Sequence, residues 1–310
     1  MIQAIPNISE GRRENVVRAV VDAIESVSPI RLLDHSSDPS HHRSVITLAG
    51  DANAIREAVL QLFAVAIQHI DLRKHDGKHP RLGAIDVLPL VPLGDTPMES
   101  CIDLARKIGA GVAESFNVPV FLYEAAASAP HRRHLEQIRR GGFESLRLKL
   151  LEDAWKPDYG PTHPHPSAGA SIIGARGPLI AFNVNLSSHD LDIARHIARR
   201  IRASGGGLPA VKALGVRVSH AGHHGVQVSI NLTDYRRTPL AHVITTVARE
   251  AATRGTRVAG IELVGLIPAD AVTGNTSDTT VRNLIRPDQI LEARLARCET
   301  RRGRASSGTP

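Results

Sequence analysis

Val226-Gln227-Val228-Ser229-Ile230-Asn231-Leu232 is the segment that indicates the fold most clearly, because apolar and polar residues alternate along it. A period of two residues predicts a strand with one face in the core and the other outside it. A strand at 211–219 precedes this segment and a helix at 239–254 follows it. The order β-α-β-β-α-β is completed by strands at 179–185 and 258–267 and a helix at 190–203.

The first half of the chain opens with the same order. Split β-α-β units of this kind pack their helices on one face of an antiparallel sheet in the ferredoxin-like architecture. We therefore predict an α+β chain of two tandem ferredoxin-like (β-α-β-β-α-β) lobes with a substrate cleft between them. The predicted elements of the first half are strands at 2–6, 31–35, 44–50 and 84–93 and helices at 13–26 and 52–72.

Three further patterns complete the domain prediction. Pro89 and Pro92 lack amide hydrogens, so strand 84–93 is expected at a sheet edge or interrupted. A helix at 96–116, a strand at 118–123 and helical segments at 130–153 lead to a connector at 157–177 that is rich in Pro, Gly and His. The predicted boundaries are an N-terminal subdomain 1–177, a C-terminal subdomain 178–300 and a disordered Arg- and Ser-rich tail 301–310.

The composition indicates a protein of the reducing cytoplasm. No run of 18 apolar residues is present, and the N-terminus lacks the features of a signal peptide. Cys101 and Cys298 are too few for a disulfide framework. We expect no membrane partner.

The net charge of +7 raises the question of nucleic-acid binding. The chain has five Phe, three Tyr and one Trp, which is a poor supply of rings for stacking bases. A small polyanionic substrate explains the charge equally well. We therefore expect no nucleic-acid partner.

The densest group of candidate catalytic residues is Arg73-Lys74-His75-Asp76-Gly77-Lys78-His79-Pro80-Arg81-Leu82-Gly83. A segment this polar predicts an exposed loop, constrained by its Gly and Pro residues. Pro80 restrains the backbone of His79 toward extended conformations. The cations of Lys78 and Arg81 favour the neutral imidazole, the form that acts as a base. The alternative interpretation is a solvated connector.

Paired histidines raise the question of a metal site. His41 and His42 lie in a segment between two strands and, if extended, point to opposite sides. His163-Pro164-His165 and His223-His224 lack the helical spacing or the cysteine partners of a strong zinc site. No metal is predicted.

Two glycine-containing segments are candidate binding walls. Asp158–Ala170 carries Pro161, Pro164 and Pro166, which make it stiff, as the wall of a cleft would be. The alternative interpretation is a linker with no binding role. Gly174-Ala175-Arg176-Gly177 could offer main-chain N–H groups and one guanidinium to an anion.

Several of these motifs, taken in order, resemble the formiminotransferase family (glutamate formimidoyltransferase). That family is the transferase half of formimidoyltransferase-cyclodeaminase and also occurs as a stand-alone enzyme. The resemblance extends from Ile5 to about Ile267. Its motifs are Pro6-Asn7-Ile8-Ser9-Glu10-Gly11, His79-Pro80-Arg81-Leu82-Gly83-Ala84-Ile85-Asp86-Val87, and Gly174-Ala175-Arg176 followed by Ile180-Ala181-Phe182-Asn183-Val184-Asn185-Leu186.

The resemblance implies transfer of a formimino group from N-formimino-L-glutamate to tetrahydrofolate, which is a co-substrate, in histidine degradation. It implies two ferredoxin-like lobes, a possible homodimer and His79 as the catalytic residue. Two segments depart from the family's pattern, namely His163-Pro164-His165 and Ser40-His41-His42-Arg43. The folate-binding stretch that it implies is Gly160, Pro161, Thr162, His163, Pro164, His165, Pro166, Ser167, Ala168 and Gly169.

The candidates for holding the substrate's carboxylates are His41, Arg43, Arg81 and Arg176, since guanidinium groups pair with carboxylates through two hydrogen bonds. Three alternatives stay open at this point. They are a formyl transferase of the same family, a non-catalytic protein that binds folate or RNA, and a metal-dependent hydrolase that uses His41, His79 and His163.

Overall fold

A computed structural model describes residues 1–77, 80–220, 223–273 and 285–306. The chain divides into two units, Met1–Arg176 and Gly177–Pro310. Each unit contains its own β-sheet with helices, so the prediction of a mixed α+β chain is confirmed.

The first unit is built on a sheet of seven strands. The strands are β1 (Ile2–Ala4), β2 (Asn7–Ile8), β3 (Arg31–Asp38), β4 (Arg43–Gly50), β5 (Ile85–Pro92), β6 (Val120–Glu124) and β7 (Ser171–Ala175). The helices are α1 (Glu14–Glu25), α2 (Ala52–His69), α3 (Met98–Phe116), α4 (Leu135–Ile138) and α5 (Gly142–Lys149).

The strands of this sheet are ordered β3, β4, then β1 and β2 together, β5, β7 and β6. The pairs among β1 to β5 are antiparallel, whereas β7 runs parallel to both β5 and β6. The chain therefore opens with a β-α-β-β-α-β order in which the first strand lies between the third and the fourth. Strands β7 and β6 then extend the sheet beyond β5.

The prediction that Pro89 and Pro92 place strand 84–93 at an edge or interrupt it is wrong, because β5 is continuous from Ile85 to Pro92. Strand β5 pairs with β1 and β2 on one side and with β7 on the other. Pro89 is tolerated there because it lies opposite the interruption between β1 and β2, where the amide of Ile5 donates to its carbonyl oxygen at 3.0 Å. A proline in an interior strand costs little stability where the neighbouring strand presents no carbonyl oxygen that requires a hydrogen bond from that position.

The connector at 157–177 also differs from the prediction, because it includes β7. Ile172 and Ile173 are fully buried in the sheet between β5 and β6. Strand β7 is only five residues long, and the Pro, Gly and His residues around it obscured its strand pattern in the sequence.

The helices of the first unit cover both faces of its sheet. Successive strand residues point to opposite faces, and Leu88 and Leu90 pack in the core with α1, α2 and α3. Val87 and Phe121 face the other way and pack with Ile138 of α4 and with α5. Helices α4 and α5 thereby lie over the part of the sheet formed by β5, β7 and β6.

The second unit has an antiparallel sheet ordered β11, β8, β10, β9. Alternate residues of β10, including Val226 and Val228, pack against α6 and α7, as the period of two predicts. Within the described residues, no helix of either unit is long and apolar enough to cross a membrane. The elements are β8 (Ile180–Leu186), α6 (Leu191–Ile201), β9 (Val211–His220), β10 (His223–Leu232), α7 (Leu240–Ala252), β11 (Val258–Val264), α8 (Ala269–Thr273) and α9 (Leu291–Ser306).

The tail predicted to be disordered at 301–310 begins inside α9. The helix continues to Ser306, and 307–310 lie outside the described residues. Arginine is a good helix former, which explains why an Arg-rich segment extends the helix.

A buried ion pair fixes the start of the predicted folate-binding stretch. Arg132 and Asp158 lie 2.9 Å apart, and both side chains are more than nine-tenths buried. Arg132 also donates to the carbonyl oxygens of Ala154 and Lys156, while Asp158 accepts the amide of Leu122. Buried charges need such partners, because each partner replaces hydration that the fold removes.

We expect Asp158→Ala to destabilise the first unit by about 3–5 kcal/mol, because it leaves the Arg132 cation buried and unpaired. The measurement is urea unfolding followed by the fluorescence of Trp155, the single tryptophan of the chain, which lies in the first unit. Asp153→Ala is the control, since its exposed ion pair with Lys156 should leave the midpoint unchanged. Equal midpoints for the two variants would contradict the role given to the buried pair.

Candidate functional site

The loop that carries the predicted catalytic segment is joined by main-chain hydrogen bonds to the predicted folate-binding stretch. Gly83 forms an antiparallel bridge with Gly169. The amide of Ala84 donates to the carbonyl oxygen of Ala168 at 2.9 Å, and the amide of Ala170 donates to that of Leu82 at 3.2 Å. Two segments that are about 85 residues apart in the sequence are thereby held side by side.

Glycine is required on both sides of this contact. A Cβ on Gly83 would lie 2.0 Å from the carbonyl oxygen of Ala170, and a Cβ on Gly169 would lie 2.2 Å from that of Leu82. Gly169 also has a φ of +69°, which favours glycine over every other residue. The backbones approach each other closely because neither residue has a side chain.

The folate-binding stretch ends in a tight turn. His165 and Gly169 exchange main-chain hydrogen bonds of 2.9 and 3.0 Å. The ring nitrogen Nδ1 of His165 accepts the amide of Ala168 at 3.0 Å, so this nitrogen is unprotonated. Thr162 and His163 are exposed instead, on the other side of Pro164.

The N-terminal motif supports the same loop from a third direction. Ser9 donates its amide to the carbonyl oxygen of Ala84 at 2.8 Å and its hydroxyl to that of Gly83 at 2.7 Å. The adjacent Glu10 is fully buried, and its carboxylate accepts the amides of Arg12 and Arg13. Burial alone raises the pKa of Glu10, but these amides and the Arg13 guanidinium, 2.6 Å away, outweigh it and lower the pKa.

Two histidines stack beside Glu10. The ring centroids of His42 and His75 lie 4.3 Å apart. His42 accepts the amide of Gly11 on Nδ1, and His75 places Nε2 at 3.0 Å from the carbonyl oxygen of His42. Burial lowers the pKa of both rings, which favours their neutral forms.

His41 lies apart from this stack. His41 is in the turn between β3 and β4, and its Nδ1 lies 2.5 Å from the carboxylate of Asp38. The expectation that His41 and His42 lie on an extended segment is wrong, because the turn gives His42 a φ of +54°. The two rings contact different partners even so. In the part of the chain that the structure describes, no three His, Cys, Asp or Glu side chains are grouped as metal ligands.

A basic cluster lies around the buried Asp86. Its carboxylate accepts the amide of Leu82 at 2.8 Å and pairs with Arg139 at 2.7 Å. Arg43 donates through Nε to the side-chain oxygen of Asn7 at 2.9 Å. Burial, together with the nearby Arg139 cation, lowers the pKa of Arg43 to about 10. Like charges held this close raise the affinity of the cluster for an anion.

Arg176 belongs to this part of the molecule through Tyr123. Burial raises the pKa of the Tyr123 phenol, while the charge of Arg176 and its hydrogen bond oppose that increase. The idea that Gly174 and Ala175 offer free amides to an anion is wrong, because both lie inside β7 and the Arg176 amide donates to Leu90. The guanidinium of Arg176 already hydrogen-bonds the Tyr123 phenol, so a ligand would share it with that side chain.

A cavity of about 400 Å³ adjoins the folate-binding stretch. Arg81 lies in its wall, where it pairs with Glu144 at 2.7 Å and donates to the carbonyl oxygen of His75 at 3.2 Å. All of its lining residues belong to the first unit: Leu72, Arg73, His75, Arg81, Phe143, Glu144, Arg147, Pro164, His165 and Pro166.

The structure thus groups some of the predicted site residues and separates others. Arg81, Pro164, His165 and Pro166 meet at the cavity, whereas Thr162 and His163 do not line it. His79, with Lys78, lies outside the described residues. Sequence reasoning missed the roles of Glu10, His75, Arg139, Phe143 and Arg147; the first two lie in motifs that it had already singled out.

Comparison with known proteins now identifies the family. Residues 1–176 match the formiminotransferase domain, N-terminal subdomain, and residues 181–281 match the formiminotransferase domain. The chain belongs to the formiminotransferase family. The resemblance noted in the three motifs is therefore confirmed across both units.

Relatives in this family are similar along most of the chain. Glutamate formimidoyltransferase of Streptococcus pyogenes serotype M1 is 43% identical over 272 residues, which cover 88% of this chain and 90% of the relative. The protein of that name from Thermoplasma acidophilum is 44% identical over 274 residues, covering 88% and 89%. Formimidoyltransferase-cyclodeaminase of Rattus norvegicus is 40% identical over 278 residues, covering 88% of this chain and 51% of the relative.

The close approach of the two glycines yields a prediction. We expect Gly169→Ala to lower the stability of the first unit by about 1–3 kcal/mol through backbone strain alone, and by more through the clash with Leu82. Gly177→Ala is the control, because a Cβ there meets nothing within 4 Å. The measurement is the midpoint of urea unfolding, followed by the fluorescence of Trp155, for both variants. An unchanged midpoint for Gly169→Ala would contradict the required close approach.

Proposed function

We propose that this chain transfers the formimino group from N-formimino-L-glutamate to N5 of tetrahydrofolate. The products are 5-formiminotetrahydrofolate and L-glutamate, a step of histidine degradation. The observation that carries this proposal is the cavity where Arg73, His75 and Arg81 meet the folate-binding stretch, in a chain of the formiminotransferase family.

We also propose ferredoxin-like lobes within the boundaries 1–177 and 178–300. Support comes from the strand orders, since in each unit a β-α-β-β-α-β segment places its first strand between its third and fourth. The family resemblance further favours a homodimer and a cytoplasmic location. Cys101 is buried and forms no disulfide, which suits a reducing compartment.

His79 is the proposed catalytic residue, acting first as a base and then as an acid. N5 of tetrahydrofolate attacks the amidine carbon of the formimino group, and the bond from that carbon to the glutamate nitrogen breaks. One proton must leave N5 and one must reach the departing nitrogen. A single imidazole that is neutral near pH 7 can accept the first proton and donate it in the second step.

Tetrahydrofolate is the proposed occupant of the cavity, held by the stretch from Gly160 to Gly169. The volume of about 400 Å³ lies within the range of small-molecule sites. Leu72, Phe143 and the prolines of the stretch supply apolar walls for the rings of the folate. Arg73 and Arg147 supply positive charge in the same wall for its carboxylates.

Arg43, Arg81 and Arg176 are the proposed partners of the carboxylates of N-formimino-L-glutamate, with His41 as a further candidate. Arg81 is paired with Glu144, whose side chain is 63% exposed, so a substrate carboxylate can replace this partner at little cost. Arg43 lies within the charge field of Arg139, which increases its attraction for an anion. No metal is part of the proposed reaction.

The test is a spectrophotometric assay with tetrahydrofolate and N-formimino-L-glutamate. We expect wild type to form 5-formiminotetrahydrofolate, and His79→Ala to lose turnover while it still binds tetrahydrofolate in calorimetry. The expected loss is on the order of a hundredfold to ten-thousandfold, as for other acid–base residues. Full activity of a folded His79→Ala would contradict the catalytic assignment. Turnover of a formyl donor alone would contradict the proposed substrate.

A further inference from the structure

His75 joins two loops of the candidate site by a hydrogen bond of defined direction. Its ring nitrogen Nε2 lies 3.0 Å from the main-chain carbonyl oxygen of His42, in the turn between β3 and β4. A carbonyl oxygen only accepts, so Nε2 carries the proton and donates it. The stacking of the two rings, with planes inclined by 22°, supports the same contact.

The backbone around His75 is held from other directions as well. The guanidinium of Arg81 donates to the carbonyl oxygen of His75 at 3.2 Å. Two residues further on, Gly77 packs so closely that a Cβ there would lie 2.6 Å from the carbonyl oxygen of His41. The segment 75–77 therefore lies directly against the β3–β4 turn, two residues before His79.

The remaining ring nitrogen shows that the neutral form of His75 suits this place. Nδ1 is buried, and no described residue donates a hydrogen bond to it. Burial lowers the pKa of His75, and the positive charges of Arg81 and Arg12 lower it further, which outweighs the opposing effects of the hydrogen bond to His42 and of Glu10. Near neutral pH the ring thus offers one fixed donor, on Nε2.

We propose that His75 is a positioning residue for formimino transfer, because its hydrogen bond to the carbonyl oxygen of His42 holds residues 75–77 against the β3–β4 turn, and His79 follows two residues later in the sequence. The inference rests on the catalytic role proposed for His79. Displacing a reacting group by about 1 Å costs on the order of a hundredfold in rate. Loss of this bond should therefore lower kcat far more than it raises KM.

Three substitutions separate the hydrogen bond from the ring stack. His75→Ala removes both, His75→Phe keeps a ring without a donor, and His75→Gln supplies an amide donor of similar reach without a ring. We expect kcat of His75→Ala and His75→Phe to fall about tenfold to a hundredfold, with KM for N-formimino-L-glutamate within about threefold of wild type. His75→Gln should recover most of the lost kcat.

The matched control is His196→Gln, which replaces a half-buried histidine of α6 in the second unit, hydrogen-bonded to Arg254. Its kcat should equal that of wild type. The unfolding midpoint reported by Trp155 verifies that each variant is folded. Should His75→Ala fail to fold, the comparison of His75→Gln with His75→Phe still decides between donor and ring.

The outcomes distinguish this inference from the proposed function. Wild-type kcat in His75→Ala, together with an inactive His79→Ala, would overturn the inference and leave the catalytic assignment standing. Recovery by His75→Phe and not by His75→Gln would overturn the hydrogen bond as the cause. A fully active His79→Ala would overturn the catalytic assignment and, with it, the role of His75.

Discussion

The candidate site depends on the close approach of two backbones at Gly83 and Gly169. Because neither residue has a Cβ, the loop after α2 and the stretch before β7 can exchange main-chain hydrogen bonds. This contact fixes the wall of the cavity that contains Pro164 to Pro166 relative to the wall that contains Arg81. The geometry of the proposed folate site therefore follows from backbone packing, with side chains adding the chemistry.

Buried polar groups then hold the surrounding loops in register. Glu10 orders the start of α1, Asp86 ties the amide of Leu82 to Arg139, and Asp158 ties Arg132 to β6. Each of these carboxylates is nearly inaccessible to water, so its hydrogen-bond and ion-pair partners must offset the cost of its burial. The same arrangement leaves guanidinium groups close to one another around Asp86, and an anionic substrate is the natural ligand for such a cluster.

Much of the fold could be predicted from the sequence, because its signals are local. The alternation along Val226 to Leu232 and the helical spacing of α1 and α7 each lie within one segment. The position of β5 could not be predicted, because Pro89 is tolerated through a gap in another strand. The same holds for the candidate site. Local motifs identified His79 and the folate-binding stretch, whereas the contact between His75 and His42 joins residues 33 positions apart and could not be predicted from either segment alone.

Amide hydrogen exchange with and without tetrahydrofolate is the most direct test of the central claim, that the cavity of the first unit binds the folate. On binding, we expect slower exchange in segments 72–77, 143–147 and 160–169, whose residues line that cavity or adjoin it. Unchanged exchange in all three segments, at a concentration where calorimetry shows the protein saturated with tetrahydrofolate, would contradict the account.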